Sequence, residues 1–117
     1  MVKLSRNQCS LCRLRQIGLL DAAHILADKE DLVDPIIQNG LSLCKIHHAA
    51  FDKNIIGISP DYKVKVRRDI LEEIDGPMLK YGLQSMNNLG LILPRNSKDY
   101  SYRDRLDFRF NKFLKTG

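Results

Sequence analysis

The order of apolar and polar positions in the first half of the chain predicts a strand, a loop, a second strand and a helix. Residues 17–25 (IGLLDAAHI) are mostly apolar between polar neighbours, which is typical of a largely buried strand. A polar segment containing Pro35 follows as a loop, and Asn39-Gly40 predicts a turn before a short strand at LSL. From Cys44 to about Lys53 the chain lacks Gly and Pro and contains Ala, which favours a helix.

The second half begins with a pattern typical of a β-hairpin. Residues 55–66 (IIGISPDYKVKV) alternate between apolar and polar around Pro60-Asp61. The segment RRDILEEID then predicts a short helix that ends at Gly76-Pro77, and MLKYGLQSMNN favours a further helix. The segment LGLILP is too short to assign.

The last segment predicts an amphipathic helix. Ser101 with Asp104 three residues later is a variant of the capping box. An apolar stripe at helical spacing is expected to pack on the core, and a cationic row on another face is expected to meet either phosphate groups or solvent. The stripe contains Tyr102, Leu106, Phe110 and Phe113, and the row contains Arg105, Arg109 and Lys112.

Length and charge limit the class of protein. With 117 residues the chain predicts one α+β domain with a modest core, which a bound metal would supplement. No run approaches the ~18 apolar residues of a membrane span, and the basic N-terminus lacks a signal-peptide core, so we expect a cytoplasmic location without membrane contact. The net charge of +5 is concentrated at both ends. It indicates either a polyanionic partner or simply a solvated surface.

Two short pairs of potential ligands predict a zinc site. Cys9-x-x-Cys12 and Cys44-x-x-His47 each offer two donors at the spacing that grips one ion, and structural zinc commonly takes four such donors. The first pair could instead be a redox pair, although no thioredoxin-like pattern surrounds it. The alternative without any metal or redox function is that the three cysteines are incidental buried residues and the histidine is an ordinary surface residue.

The adjacent His47 and His48 cannot bind the same ion from a helix, because successive residues point about 100° apart. The neighbour of His48 on its own face is Asp52, at i+4, and imidazole plus carboxylate suit a second divalent ion. Taken alone, this is also an ordinary surface His–Asp pair. His24, taken alone in its apolar strand, is more typical of a core histidine than of a catalyst.

Three segments together resemble a known family. AAHI, NGLSLC and HHAAFD are similar to the His-Asn-His (HNH) endonucleases of the ββα-metal fold, and more narrowly to the bacterial branch with the motif AHI…NGLxLCxxHHxxFD. The resemblance covers residues 9 to about 66. It implies an α+β nuclease core with a zinc knuckle and following hairpin in residues 1–75. A C-terminal helical extension in residues 76–117 would pack on that core as part of one structural domain.

The resemblance also implies roles for individual residues. His24 would be the general base that activates water, since neutral imidazole suits that task near pH 7, and Asn39 would help to orient it. His48, with Asp52, would hold a catalytic Mg²⁺, Mn²⁺ or similar ion. The structural zinc would be held by Cys9, Cys12, Cys44 and His47.

One position departs from the family pattern. Many relatives have Asp or His as a metal ligand directly before the base, and here that residue is Ala23. Asp21 is nearby but should share the face of Ala23 rather than that of His24, because side chains alternate along a strand. The ion would then depend on His48, Asp52, water and substrate phosphate.

The resulting hypothesis is a metal-dependent endonuclease that hydrolyses phosphodiesters in double-stranded DNA, in restriction or a related process. Two alternatives stay open: a zinc-stabilised DNA-binding module that has lost most of its catalysis, and a zinc protein that does not bind nucleic acid. The chain could be one domain of a longer protein or a small enzyme that forms a homodimer. Seven cations are expected to contact phosphates: Lys63, Lys65, Arg67, Arg68, Arg105, Arg109 and Lys112.

Overall fold

The structure, a computed structural model, describes residues 8–25, 40–93 and 103–116, and in these ranges a helix lies between two antiparallel β-hairpins. Strand β1 (Leu20–His24) pairs with strand β2 (Gly40–Cys44), so that Leu20 lies opposite Cys44 and His24 opposite Gly40. The fold is therefore mixed α+β, as the sequence predicts. The predicted loop at residues 26–38 and the Asn39 of the predicted turn lie outside the described residues.

The first strand is shorter than the apolar run predicts. Ile17–Leu19 form one turn of 3₁₀-helix, and Ile17 and Leu19 are exposed. The strand begins only at the buried Leu20, where pairing with Cys44 starts. The prediction of a strand over 17–25 was therefore wrong at its N-terminal end, because a continuous apolar run does not reveal where pairing begins.

Helix α1 (Lys45–Asp52) follows β2 without a loop, as predicted. Cys44 is the N-cap residue, and its Sγ accepts a hydrogen bond of 3.5 Å from the backbone N–H of His47. The helix ends where Asn54 takes a left-handed conformation at φ 58°, which Asn tolerates better than most residues. Its inner face buries Ala50 and Phe51 against the hairpins.

The predicted second hairpin is confirmed. Strand β3 (Ile56–Ile58) pairs with β4 (Val64–Val66), and α2 (Arg68–Leu71) follows as a helix shorter than the predicted RRDILEEID. Residues 89–91 of the unassigned LGLILP segment run beside residues 62–64, where β4 begins. The amide of Val64 donates to the carbonyl of Leu89 at 2.8 Å, and the amide of Leu91 donates to that of Tyr62 at 2.7 Å. This segment therefore extends the hairpin on one edge.

The C-terminal segments pack against this core. Met78–Leu83 is a turn of π-helix, Gln84–Met86 is a 3₁₀ turn, and helix α3 (Arg103–Leu114) lies on β3. In α3 the predicted stripe is buried at Leu106 and Phe113 and half-buried at Phe110. The capping residue Ser101 and the first stripe residue Tyr102 lie outside the described residues.

A close approach fixes the position of α3. A Cβ atom placed on Gly57 of β3 would lie 2.5 Å from Cγ of Phe113, well inside contact distance. Only glycine leaves room there for the aromatic ring. Among the described residues no helix is both long and apolar enough to span a lipid bilayer.

Candidate metal centre and active-site residues

The four predicted zinc ligands converge on one point. The ligand atoms of Cys9, Cys12, Cys44 and His47 all lie within 4.8 Å of one another, although 32 residues separate Cys12 from Cys44. The Cys9 and Cys12 side chains come from the N-terminal knuckle, whereas Cys44 ends β2 and His47 lies in the first turn of α1. Within residues 8–25, 40–93 and 103–116, no other group of three or more His, Cys, Asp or Glu side chains is close enough to share an ion.

The distances fit a tetrahedral ion. Cys9 Sγ and Cys44 Sγ lie 3.5 and 3.2 Å from Nδ1 of His47, and Cys12 Sγ lies 4.0 Å from Cys44 Sγ. In a tetrahedron with Zn–S bonds of about 2.3 Å and a Zn–N bond of about 2.0 Å, neighbouring donors are about 3.5–3.8 Å apart. Three thiols and one imidazole at these separations are donors that suit zinc. The cluster therefore indicates a structural zinc site.

The ring of His47 is held in the tautomer that such a site needs. Its Nε2 lies 2.6 Å from the carbonyl oxygen of Gly82. Because a carbonyl only accepts, Nε2 carries the proton and donates it, which leaves the lone pair of Nδ1 directed at the sulfurs. The side chain is 3% exposed, so this arrangement is protected from water.

The thiols are not equivalent. Burial alone would raise the pKa of Cys9, but hydrogen bonds from a protonated Nδ1 of His47 and from backbone amides outweigh it and lower the pKa to about 6. A bound ion would replace that proton and take the lone pair of Nδ1. Burial raises the pKa of Cys12 to about 12 and also raises that of Cys44, and the nearby charge on Cys9 contributes to both. Several thiolates at such close range repel one another, and a divalent cation is what would stabilise them together.

His48 points away from the cysteine cluster and lies between two carboxylates. Its Nε2 is 3.2 Å from Oδ2 of Asp52, the predicted partner one helical turn further on. Its Nδ1 is 2.8 Å from Oδ2 of Asp21 on β1, a residue that the sequence analysis did not place in the site. The His48 side chain is 28% exposed and the Asp52 side chain is 55% exposed. The neighbouring histidines thus face different surroundings.

Asp21 also contacts the first residue of α1. Its Oδ1 accepts a 2.8 Å hydrogen bond from Nζ of Lys45. The bond to His48, and then that to Lys45, hold the pKa of the Asp21 carboxyl below its usual range. Strand alternation does put Asp21 on the side of Ala23, as predicted, and this is the side on which α1 lies. The sequence signal for Asp21 is its place on the same face of β1 as Ala23. A helix packed on that face would bring His48 close to the Asp21 carboxylate.

His24 and Ala23 differ sharply in exposure. Ala23 is 1% exposed, whereas its neighbour His24, opposite Gly40 at the end of the hairpin, faces outward. Asn39 precedes Gly40 in the sequence but lies outside the described residues. An exposed imidazole at a strand end is accessible to a polymeric substrate, and the buried Ala23 supplies no ligand.

The predicted phosphate-contacting cations have different surroundings. Lys63 and Arg68 are exposed, Lys65 bonds to Asn88, and Arg67 pairs with Asp69 at 2.6 Å. On α3, Arg105 is half-buried and Lys112 is exposed above the ring of Phe108. The structure thus puts four of these cations on the second hairpin and α2 and three on α3.

Arg109 differs from the rest. Its guanidinium donates to the carbonyls of Ile25 at 2.9 Å and Phe51 at 2.7 Å, and it stacks 4.2 Å above the Phe51 ring. Its side chain is 15% exposed. These contacts join α3 to α1 and to Ile25, the residue after β1, so we propose a structural role for Arg109 instead of the predicted DNA contact.

These features define a mixed α+β protein with a Cys₃His metal knuckle that joins a hairpin to a helix. Comparison with protein families gives the class: residues 9–59 match the HNH endonuclease family. The resemblance seen in the sequence is therefore confirmed over these residues, which make up less than half of the chain and are similar to the HNH endonucleases, a family of nucleases.

A solved structure has a similar fold. It is described as a modification dependent TagI restriction endonuclease, with a TM-score of 0.62, 19% sequence identity and 93% of this chain covered. The match covers 34% of that protein, so this chain spans about a third of its length. No curated protein is similar enough to this chain to count as a match.

Proposed function

We propose that this protein is a metal-dependent endonuclease that hydrolyses phosphodiester bonds in DNA. The observation that carries the proposal is the different orientation of two adjacent histidines on α1. His47 is directed into the buried sulfur cluster, whereas His48 lies 3.2 Å from Asp52 in a partly exposed position. One helix thereby serves a structural ion and a potential catalytic ion, as the family assignment of residues 9–59 leads us to expect.

The donor set at His48 fits a hard divalent ion such as Mg²⁺ or Mn²⁺. In an octahedral shell with bonds of about 2.1 Å, neighbouring ligands are about 3.0 Å apart, and His48 Nε2 and Asp52 Oδ2 are 3.2 Å apart. An ion bound there would stabilise negative charge on the phosphate and on the leaving 3′ oxygen. His48 and Asp52 would hold it, and the exposure of both leaves open positions for water and phosphate.

The chain's own residues would do the rest. His24, as general base, would accept a proton from the attacking water at a ring nitrogen, and Asn39 would help to orient that ring. Cys9, Cys12, Cys44 and His47 would hold the zinc that fixes β2 and α1 relative to the knuckle. The exposed cations Lys63, Arg68 and Lys112 would contact backbone phosphates and give sequence-neutral affinity.

The experiment is cleavage of supercoiled plasmid by zinc-loaded protein with added Mg²⁺ or Mn²⁺. We expect nicked or linear products, and a loss of about 10²–10⁴-fold for His24→Ala, the range for removal of a general base. His48→Ala should also be inactive. Asp61→Ala, an exposed acid in the second hairpin, is the matched control and should cut normally. Unaltered cleavage by His24→Ala at full zinc content would contradict the assigned base.

The buried Ala23 favours a second candidate function. Where many relatives have a metal ligand, this chain has a methyl group that is 1% exposed. A zinc-stabilised DNA-binding module with weakened catalysis would then bind plasmid in a gel-shift experiment but leave it intact with every added ion. The cleavage experiment above therefore distinguishes the two functions.

A further inference from the structure

The His48 side chain has an acid at each ring nitrogen, and these two acids cannot have the same role. A neutral imidazole has one N–H donor and one lone pair. Asp21 Oδ2 lies 2.8 Å from Nδ1, whereas Asp52 Oδ2 lies 3.2 Å from Nε2. The shorter contact favours Nδ1 as the donor, because an ionised carboxylate only accepts and the shorter distance is that of a charge-assisted hydrogen bond. The lone pair of Nε2 then faces the oxygen of Asp52, an arrangement that a cation between the two would stabilise.

Asp21 is itself held in place. Its Oδ1 accepts from Nζ of Lys45 while its Oδ2 accepts from His48, so both oxygens have a defined partner on α1. Lys45, His48 and Asp52 follow one another at i, i+3 and i+7, which places them along one side of the helix. One residue of β1 thus fixes the orientation of His48, the imidazole that would bind the ion.

We propose that Asp21 is a positioning residue that selects the Nδ1–H tautomer of His48 and thereby directs Nε2 to a divalent cation held with Asp52. Asp21 acts through His48 and does not bind the ion. The proposal rests on the proposed function, since it concerns the same site. It also explains how this chain could hold an ion although Ala23 has no metal-binding side chain. The Asp21 carboxylate would orient the imidazole ligand and increase its basicity.

The first test is the tautomer, which does not depend on activity. The chain contains three histidines, so ¹⁵N-histidine labelling of zinc-loaded protein gives three pairs of ring-nitrogen resonances, and His48→Ala identifies one of them. At a pH near 8, where imidazoles are mostly neutral, we expect His48 to show a protonated Nδ1 and an unprotonated Nε2. In Asp21→Ala this preference should be lost, whereas Asp21→Asn should keep it because its amide oxygen still accepts. A protonated Nε2 in the parent, or an unchanged tautomer in Asp21→Ala, would overturn the proposal.

The second test is binding of Mn²⁺ to the zinc-loaded protein without DNA. Binding is measured as the loss of the electron paramagnetic resonance signal of free Mn²⁺. Loss of an outer carboxylate typically weakens metal binding about 10–100-fold, and we expect this for Asp21→Ala but not for the matched control Asp61→Ala. His48→Ala separates the two levels of the argument. If it binds Mn²⁺ as the parent does, the proposed catalytic ion site is wrong. If only His48→Ala weakens binding, that site stands and the role of Asp21 is wrong.

Discussion

Nε2 of His47 donates a 2.6 Å hydrogen bond to the carbonyl oxygen of Gly82, 35 residues further along the chain. The same ring presents Nδ1 to the three sulfurs, so the cysteine cluster connects three parts of the molecule: the N-terminal knuckle, helix α1 and the π-helical turn Met78–Leu83. We therefore expect the stability of the C-terminal half to be coupled to the cysteine cluster in the N-terminal half.

Removal of zinc should therefore unfold the protein as a whole. Binding of zinc to structural sites is worth about 10–16 kcal/mol near pH 7, which is comparable with the total stability of a typical domain, about 5–15 kcal/mol. We expect a strong chelator to abolish the cooperative thermal unfolding transition, and added zinc to restore it. The transition is measured by circular dichroism. A metal-free protein with an unchanged Tm would show that the cluster has no structural role.

The two adjacent histidines should fail in different ways when replaced. His47→Ala removes a ligand and the bond to Gly82, so zinc content measured by mass spectrometry should fall and the Tm should drop. His48→Ala removes a partly exposed ring outside the cluster, so zinc content and Tm should stay near those of the parent while Mn²⁺ binding is abolished. The comparison has its own control, because each variant tests the specificity of the other. Equal loss of zinc in both would contradict the separate orientations of the rings.

The sequence was most informative where the signal is local. The short spacings in Cys9-x-x-Cys12 and Cys44-x-x-His47 predicted the cluster, since each pair can be brought onto one ion by a single turn of chain. The helix over 44–53 was predicted for the same reason, because propensity and the absence of breakers act within a few residues.

The sequence was less informative where two distant elements meet. Alternation correctly put Asp21 on the face of Ala23, but it does not say that α1 covers this face or that His48 arrives at the acid. Helical periodicity likewise grouped Arg109 with Arg105 and Lys112, but it does not reveal that two backbone carbonyls lie opposite Arg109. Which residues share a face is a local property, and what that face contacts depends on tertiary packing.

Enlarging Gly57 should separate helix α3 from the second hairpin. A Cβ atom there would lie 2.5 Å from the ring of Phe113, so the ring or the helix must move. Overpacking of this kind costs about 1–3 kcal/mol, and we expect Gly57→Ala to lower the free energy of unfolding in urea by that amount. Gly18→Ala is the matched control, because nothing lies within 4 Å of a Cβ at that position.

The collision with Phe113 can be tested directly. Combined with Phe113→Leu, the Gly57→Ala change should cost less than it does alone, since the smaller side chain relieves the overlap and the two effects are not additive. Fully additive effects would mean that the ring is not what makes glycine necessary at this position.

Replacing a cation of α3 and a cation of α2 should distinguish a structural role from a DNA-binding role. Arg109→Met removes two charged hydrogen bonds to the carbonyls of Ile25 and Phe51. Hydrogen bonds to charged groups contribute about 1.5–3 kcal/mol each. The free energy of unfolding should therefore fall by at least the contribution of one such bond. Arg68→Met, at an exposed position, should leave it unchanged.

Binding to duplex DNA should show the reverse pattern. Measured with the His24→Ala protein to prevent cleavage, the slope of log K against log salt should decrease by about 0.9 for each phosphate that the protein no longer neutralises. We expect this decrease for Arg68→Met and not for Arg109→Met at a temperature where both are folded. If the Arg109 variant alone had a smaller slope, its guanidinium would bind phosphate in the complex, and the bonds to the two carbonyls would have to break when DNA binds.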